Sequence, residues 1–273
     1  MPDVRIATPR GVTLAGTIEL PDGAAALDLE ALDEPAAEGP APIRREGLVI
    51  LAHDFLTDRH GLDQRLDRVG CAYRQAGLAT LAVDFSGLGE SDDDVITAAG
   101  EVEDLRALCG WAMDHGWVRQ AVHANGLGAT VVLLARPEQV STAVLVGAVV
   151  GPQSILWEEV FSPEQLDELD RHGLTRLPDD MPNSRQWDVI SKETLADMSL
   201  QTVEQTMADL PWPVLMIHGG LTDEFPDSAA AAAEGFALLQ DGSQLVQVHD
   251  QTVDDAQGEV ARLGVEWVTR RLR

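Results

Sequence analysis

The hydrophobic residues of this chain fall into short continuous runs separated by longer amphipathic stretches. Continuous apolar runs are typical of strands that are buried on both faces, whereas apolar residues three and four positions apart are typical of helices. The runs predict core strands at residues 47–52, 78–83, 118–123, 140–146, 214–218 and 244–248. The amphipathic stretches predict helices near residues 61–76, 99–115, 227–239 and 254–272, and one that starts at Gly128. This alternation predicts an α/β protein with a mostly parallel central sheet and helices on both faces.

The alternation breaks over residues 151–210, which contain prolines and helical patches but no run that predicts a buried strand. An interruption between two core strands predicts a helical cap inserted over the carboxyl edge of the sheet. Residues 1–150 and 211–273 then form one core domain. Residues 23–46 are rich in Ala, Pro and Glu, and they predict a long, mobile acidic surface loop within that core.

One turn between a predicted strand and a predicted helix has an informative sequence. Residues 124–128 read A-N-G-L-G, after an apolar strand and before a helix start made of small residues. A strand, a tight turn and a helix form the context of the nucleophile elbow, G-x-S-x-G. Gly126 stands where the serine would be; glycine suits the strained backbone of the apex, but it cannot attack a carbonyl. Taken alone, such a segment is more often an ordinary turn between a strand and a helix, so its neighbours must decide.

Three further segments follow the ends of predicted strands. They are residues 51–59 (LAHDFLTDR), 83–91 (VDFSGLGES) and 213–226 (PVLMIHGGLTDEFP). Together with the A-N-G-L-G turn they resemble motifs of the α/β-hydrolase family, in particular its esterase, lipase and serine-aminopeptidase-like branch. These motifs are the H-G-F turn, the D-x-x-G-x-G-x-S loop, the nucleophile elbow and the H-G-x-x-D-x-x-x-P loop. The resemblance covers roughly residues 4–270 and implies the α/β-hydrolase fold.

The resemblance implies an oxyanion turn and a pocket beside the elbow. In the family, the backbone of the H-G-F turn contributes an N–H to the oxyanion hole. His53, Asp54 and Phe55 occupy that turn here, and Asn125 and Leu127 flank the elbow apex. A carboxylate at position 54 would oppose the stabilisation that an oxyanion hole supplies, unless it turns outward into water.

The loop with Asp84 and Ser91 is the best-preserved of the four matches. In the family this loop is structural, because its glycines make a compact turn and its Asp and Ser bind backbone groups. We therefore expect Asp84 and Ser91 to be structural residues and not catalytic ones.

The acid and the base of a catalytic triad are both in doubt. Aligned without gaps, the family's acid position falls on Thr222, and a slip of one residue places it on Asp223. Matching Asp250 to the family's G-x-D-H loop puts Gln251 at the histidine position. A glutamine amide cannot accept and return a proton near neutral pH, which is the task of the base. His249 is the alternative base if the loop is shifted.

These substitutions lead to two hypotheses of function. The first is a pseudoenzyme that keeps the hydrolase scaffold and binds a small apolar or ester-like ligand or a protein partner, because the serine is replaced by Gly126 and the histidine by Gln251. The second is an active esterase or acyl hydrolase with a relocated acid–base pair, Asp223 and His249. The sequence also places Trp157 and Trp187 in the insertion, where they form the cap's own core or line a ligand site.

Composition excludes several classes of partner. The chain has 273 residues, with 46 acidic against 19 basic ones and a net charge of −27. Such a surface repels nucleic acid and anionic membranes.

Cys71 and Cys109 are expected to be reduced core residues, and no cysteine or histidine spacing suggests a metal or a cofactor. The N-terminus lacks a signal-peptide pattern, which predicts a cytoplasmic protein; the oligomeric state stays open.

Overall fold

A computed structural model describes residues 3–21, 23–24, 47–153, 155–221, 224–225, 227–249 and 252–272. Most of the predicted acidic loop at 23–46 lies outside these described residues. The main sheet has eight strands in the order β1-β2-β4-β3-β6-β7-β10-β11. β2 pairs antiparallel with β1 and with β4, and all other neighbours in the sheet are parallel. The predicted fold class, a mostly parallel sheet between helices, is therefore confirmed.

The strands are β1 Asp3–Ala7, β2 Thr13–Glu19, β3 Leu48–Ala52, β4 Ala79–Val83, β5 Val95–Ile96, β6 Gln120–Asn125, β7 Val140–Val146, β8 Leu174–Pro178, β9 Trp187–Ser191, β10 Val214–His218 and β11 Gln244–Gln247. The α-helices are α1 Arg65–Gln75, α2 Ala98–Asp114, α3 Gly126–Ala135, α4 Trp157–Val160, α5 Pro163–His172, α6 Lys192–Ser199, α7 Val203–Met207, α8 Ser228–Gly235 and α9 Val253–Arg271. Short 3₁₀ turns precede α1 at Leu62–Gln64 and follow α8 at Phe236–Leu238.

The sheet is covered on both faces, which explains the continuous apolar strands. Every residue of β3 and of β6 is buried. One hydrophobic cluster joins one face of the sheet to α2 and α3, through residues such as Leu105 and Val132. A second cluster joins the other face to α1 and α9, through residues such as Val69 and Trp267. The carboxyl ends of the central strands are left for a site.

The predicted insertion, residues 151–210, contains strands as well as helices. Helix α5 starts with a capping box in which the side chains of Ser162 and Gln165 bind each other's backbone N–H groups. β8 and β9 form an antiparallel pair that adds to β5, so a three-stranded sheet accompanies the helices. The predicted helical cap did not include this sheet, because each strand buries only one face and lacks a continuous apolar run.

Three side chains differ in burial from the expectation for a core residue. Cys71 is exposed on α1, so the prediction of a buried thiol was wrong there, whereas Cys109 is buried; both are free. Trp187 is 47% exposed, and the Arg176 guanidinium lies 5.7 Å from its ring centre. Trp157 is half-buried and stacks on Phe161.

Among the helices that the structure describes, none has the length and apolar character to cross a membrane.

Candidate functional site

The candidate site lies where two neighbouring parallel strands end. β3 and β6 are paired with Ala52 opposite Ala124. The turn after β3 therefore lies beside the turn that joins β6 to α3. Ligands of open α/β sheets bind at this edge. The structure brings together six of the predicted residues here: His53, Asp54, Phe55, Asn125, Gly126 and Leu127.

Gly126 stands at the apex of the turn with no space for a side chain. Its φ is +52°, in the left-handed region that favours glycine. A Cβ added to Gly126 would lie 1.9 Å from Oδ2 and 2.0 Å from Cγ of Asp54. These distances are far shorter than real carbon contacts, so the Asp54 carboxylate occupies the volume that a nucleophile's side chain would need.

The helix after the apex also approaches the β3 turn closely. α3 begins at Gly126, two residues before the predicted start, because the left-handed apex leads directly into the helix. A Cβ at Gly128 would lie 2.0 Å from the carbonyl oxygen of His53. Glycine at position 128 therefore allows the first turn of α3 to contact the backbone of the neighbouring turn.

The Asp54 carboxylate accepts hydrogen bonds from two backbone N–H groups. Its Oδ1 accepts from Phe55 N and from Leu127 N, each at 2.7 Å. In hydrolases with a nucleophile elbow, the oxyanion hole consists of the N–H after the nucleophile and an N–H from the loop after the neighbouring strand. Leu127 follows the apex residue Gly126, and Phe55 lies in the turn after the neighbouring strand β3, so the prediction of an oxyanion turn concerns these two N–H groups. The carboxylate is directed at the elbow, so the alternative in which it turns outward into water does not hold.

The surroundings of this carboxylate include the N-terminus of a helix and a second, buried carboxyl group. It lies at the N-terminus of the ten-residue helix α3, whose dipole favours a negative charge. Glu101, in the first turn of α2, is buried. Burial, together with the negative charges of Asp104, Asp54 and Asp197, raises the pKa of the Glu101 carboxyl to about 8. Glu101 was not among the predicted residues, because a glutamate in the first turn of a helix has no distinctive pattern in the sequence.

His53 holds the oxyanion turn in place. It is 1% exposed, and its Nε2 accepts a hydrogen bond from Phe85 N at 3.0 Å. An acceptor at Nε2 assigns the proton to Nδ1, which lies 2.8 Å from the carbonyl oxygen of Asp54. The imidazole therefore connects the β3 turn to the loop after β4, and both of its nitrogens are used in doing so.

Asp84 and Ser91 bind backbone groups. Asp84 accepts from Arg59 N at 2.6 Å and from Glu90 N at 2.9 Å, and it also pairs with the Arg59 guanidinium at 2.8 Å. Ser91 Oγ donates to the Asp84 carbonyl at 2.6 Å and accepts from Ala15 N at 2.9 Å. These contacts fix the conformation of the loop and leave neither side chain a catalytic part.

The acid and base positions of the triad lie in segments that the structure describes only in part. Thr222, Asp223 and Gln251 are outside the described residues. The strands that lead to them are adjacent, since β10 pairs with β11 and Val248 N donates to the carbonyl of the last β10 residue at 2.8 Å. His249 is exposed just after β11. The assignment of these positions to a triad stays a prediction.

A buried histidine lies in the segment 213–226, and the motif in this segment gave no reason to assign it a role. His218, the last residue of β10, is 1% exposed, and its Nδ1 lies 3.4 Å from Oε2 of Glu224. The same Glu224 oxygen accepts from Gly219 N at 3.0 Å. Glu224 therefore connects the loop after β10 to the end of that strand.

Comparison with known proteins identifies the fold. No family model and no curated protein matches the chain. The solved structures similar to it include the α/β hydrolase GrgF from Penicillium sp. sh18, with a TM-score of 0.70 and 17% identity over 99% of this chain and 98% of that chain. Est1E from Butyrivibrio proteoclasticus has a TM-score of 0.66 and 16% identity, over 97% and 99% of the two chains. Mouse α/β hydrolase domain-containing protein 10 has a TM-score of 0.63 and 14% identity, over 98% and 97%. This chain therefore has the α/β-hydrolase fold.

Proposed function

We propose that this chain is a hydrolase-fold protein without serine-hydrolase chemistry, which acts by binding a small apolar or ester-like molecule or a protein partner. One observation carries the proposal. The Asp54 carboxylate fills the volume beside Gly126 and accepts both N–H groups, from Phe55 and Leu127, that a reacting carbonyl would require.

Acyl transfer needs an attacking atom and donors for the negative charge that develops on the carbonyl oxygen. Gly126 supplies no attacking atom. The two amide donors already bind a full negative charge, and a second negative charge at the same place would be repelled. Loss of a single oxyanion donor costs an enzyme about 10²–10³ in rate. Occupation of both donors by a carboxylate opposes hydrolysis more strongly still.

The competing function is an esterase in which Asp223 and His249 activate water directly. Its reacting carbonyl would have to displace Asp54 from the amides or find other donors. The carboxylate of Asp54 is equally unsuited as a nucleophile, because attack through it would remove it from the N–H groups of Phe55 and Leu127 that hold it. The two functions therefore predict different rates of ester hydrolysis.

Hydrolysis of short p-nitrophenyl esters and labelling by a fluorophosphonate test the proposal. For the wild-type chain we expect no turnover above heat-denatured protein and no label. The variant Asp54→Gly/Gly126→Ser/Gln251→His restores a serine, a base and free amide donors, and it should become labelled. The matched control Gly126→Ser/Gln251→His keeps Asp54, whose carboxylate overlaps the new Cβ, and it should stay unlabelled.

Two results would contradict the proposal. Clear wild-type turnover that disappears in His249→Ala would establish the relocated acid–base pair. Equal labelling of the control and of the Asp54→Gly variant would show that Asp54 does not block the elbow. Circular dichroism of each variant checks that it is folded.

The binding function is tested by thermal shift, because a ligand that binds only the folded chain raises its melting temperature. Est1E, one of the structural neighbours, was solved with ferulic acid bound. Phenolic acids and their esters therefore join short aliphatic esters in the set of compounds. A melting temperature unchanged by every compound of the set would leave the protein-partner half of the proposal as the one to pursue.

A further inference from the structure

A buried amide side chain lines a cavity behind the elbow. The cavity has a volume of about 530 Å³ and lies between α1 and α9. Nδ1 of His123, on β6, lies 2.9 Å from the Tyr73 hydroxyl on α1. Because side chains two positions apart on a strand face the same side, the Asn125 side chain also faces the side of the sheet that α1 covers. Asn125 lines the cavity, whereas Asp54 and Gly126 do not, so this is a separate site from the one at the elbow apex.

The cavity has an exposed polar mouth, an apolar wall and a buried floor. Its size lies within the range of about 300–1,000 Å³ that is usual for small-molecule sites. The lining residues with exposed or half-buried polar side chains are Arg68, Asp254 and Gln257. The apolar lining residues are Val69, Leu221, Val260 and Ala261. Asn125 and Gly220, at the ends of β6 and β10, are buried and form the floor.

The charged side chains of this lining are engaged by other groups of the protein. Arg68 Nη1 donates to Asp254 Oδ1 at 3.2 Å and also to Gln257 Oε1. Arg68 and Asp254 therefore compensate each other's charge. Arg65 Nε donates to the carbonyl oxygen of Leu62 at 3.1 Å. A charged ligand would leave water for a cavity whose described lining offers it no unpaired countercharge, so the lining favours an uncharged one.

The Asn125 amide is the group in this lining that calls for a ligand. Asn125 is only 4% exposed, and it precedes α3 at the N-cap position without making a capping bond. Its amide makes no hydrogen bond within the part of the chain that the structure describes. Buried amides in native proteins are almost always hydrogen-bonded. Because this amide lines the cavity, its partner belongs in the cavity.

The chemistry of an amide side chain determines which partner fits. Its oxygen accepts hydrogen bonds and its NH₂ group donates them, side by side in one plane. A primary carboxamide or a lactam presents the complementary donor and acceptor, so it can form two hydrogen bonds with Asn125. A carboxylate has acceptors only and an ammonium group has donors only. Each of these would leave one polar atom of the buried amide unpaired, which is costly.

We propose that this cavity binds a small uncharged molecule that carries a primary or cyclic amide on an apolar body. The amide of the ligand pairs with Asn125 at the floor, and the apolar body packs against Val69, Leu221 and Val260. This site goes beyond the function proposed above and does not depend on the absence of hydrolysis at the elbow. Its failure would leave the fluorophosphonate result unchanged.

Isothermal titration with octanamide tests the proposal. N,N-dimethyloctanamide keeps the carbonyl and lacks the N–H donors, whereas octanoate and octylammonium carry a charge in place of the amide. We expect octanamide to bind at least about tenfold more tightly than each of the three, because each leaves an atom of the Asn125 amide unpaired. Octanamide that binds no more tightly than N,N-dimethyloctanamide, or no more tightly than octanoate, would overturn the proposal.

Substitutions at position 125 test whether this amide selects the ligand. Asn125→Leu keeps the side-chain volume and removes the amide, so it should weaken octanamide binding by about tenfold. Asn125→Asp offers acceptors alone, so the preference should pass from octanamide to octylammonium. Circular dichroism checks that both variants are folded. Unchanged octanamide binding in the folded variants would contradict the assignment of Asn125.

A matched pair of glycines tests the location of the site. Gly258 of α9 lines the cavity, and a Cβ added there meets nothing within 4 Å. Gly110 of α2 is equally open but does not line the cavity. Gly258→Phe should weaken octanamide binding by at least about tenfold, and Gly110→Phe should leave it within about twofold. Equal octanamide binding by the two variants would mean that octanamide binds elsewhere, and the proposal would be wrong.

Discussion

Two aspartates follow neighbouring strands of the sheet and have different surroundings. Asp54 comes two residues after β3, and Asp84 comes directly after β4. Each carboxylate accepts two backbone N–H groups at 2.6–2.9 Å. Asp84 connects its own loop to the segment after β3 through Arg59 N and also pairs with the Arg59 guanidinium, whereas Asp54 connects its own turn to the first turn of α3. Similar hydrogen bonding therefore joins two loops around an ion pair in one case and fills the N-terminus of a helix in the other.

The largest effect is expected from Asp84→Ala. Asp84 is 1% exposed, and its removal leaves the largely buried Arg59 guanidinium without its buried partner. Breaking a buried ion pair from one side costs about 3–5 kcal/mol. Urea unfolding should show a loss of this size in the free energy of unfolding. Asp241→Ala, at an exposed turn residue, is the control and should change it by less than about 0.5 kcal/mol. Equal losses for the two variants would contradict a structural role for Asp84.

A smaller effect on stability is expected from Asp54→Ala. Two amide N–H groups lose their acceptor, and an unsatisfied buried donor costs about 1–3 kcal/mol. The amide proton shifts of Phe55 and Leu127 should change in NMR spectra, because both bonds run to the same oxygen. A loss of stability as large as that of Asp84→Ala would mean that the two aspartates have the same role.

The third effect appears only when the pH is varied, and it concerns Glu101, the buried neighbour of the Asp54 charge. The pKa of its carboxyl is about 8 in the folded chain against an ordinary value of 4.5. Between these two values the folded state keeps a proton that the unfolded state has released. This group therefore lowers the stability as pH rises from about 5 to 8, by at most about 1.4 kcal/mol per pH unit. Glu101→Gln does not titrate, so its free energy of unfolding should fall less over this range. Parallel pH curves for the wild type and the variant would contradict the raised pKa.

The fold was predictable because burial on two faces leaves a strong signal. β3 and β10 are buried at every position, and each coincides with a nearly continuous apolar run. The strand pair in the insertion left no such signal. β9 buries Asp188 and Ile190 and leaves Trp187 exposed, so a half-covered strand beside helices does not show in the pattern of apolar residues.

The position of the site was predictable, but the arrangement of its side chains was not. Motif spacing placed Asp54 and Gly126 at adjacent strand ends, and the parallel pairing of β3 with β6 brings them together. The direction of the Asp54 carboxylate depends on the backbone of its turn and on the two N–H groups it meets, and no pattern of residue types encodes it.

The overlap between the Asp54 carboxylate and the missing Cβ of Gly126 makes the two positions depend on each other in evolution. A serine at position 126 requires a residue other than aspartate at position 54, since both side chains would claim the same volume. Replacement of Asp54 must therefore come before, or together with, any substitution that places a side chain at position 126. The order in which substitutions can be accepted at these two positions follows from their sterics.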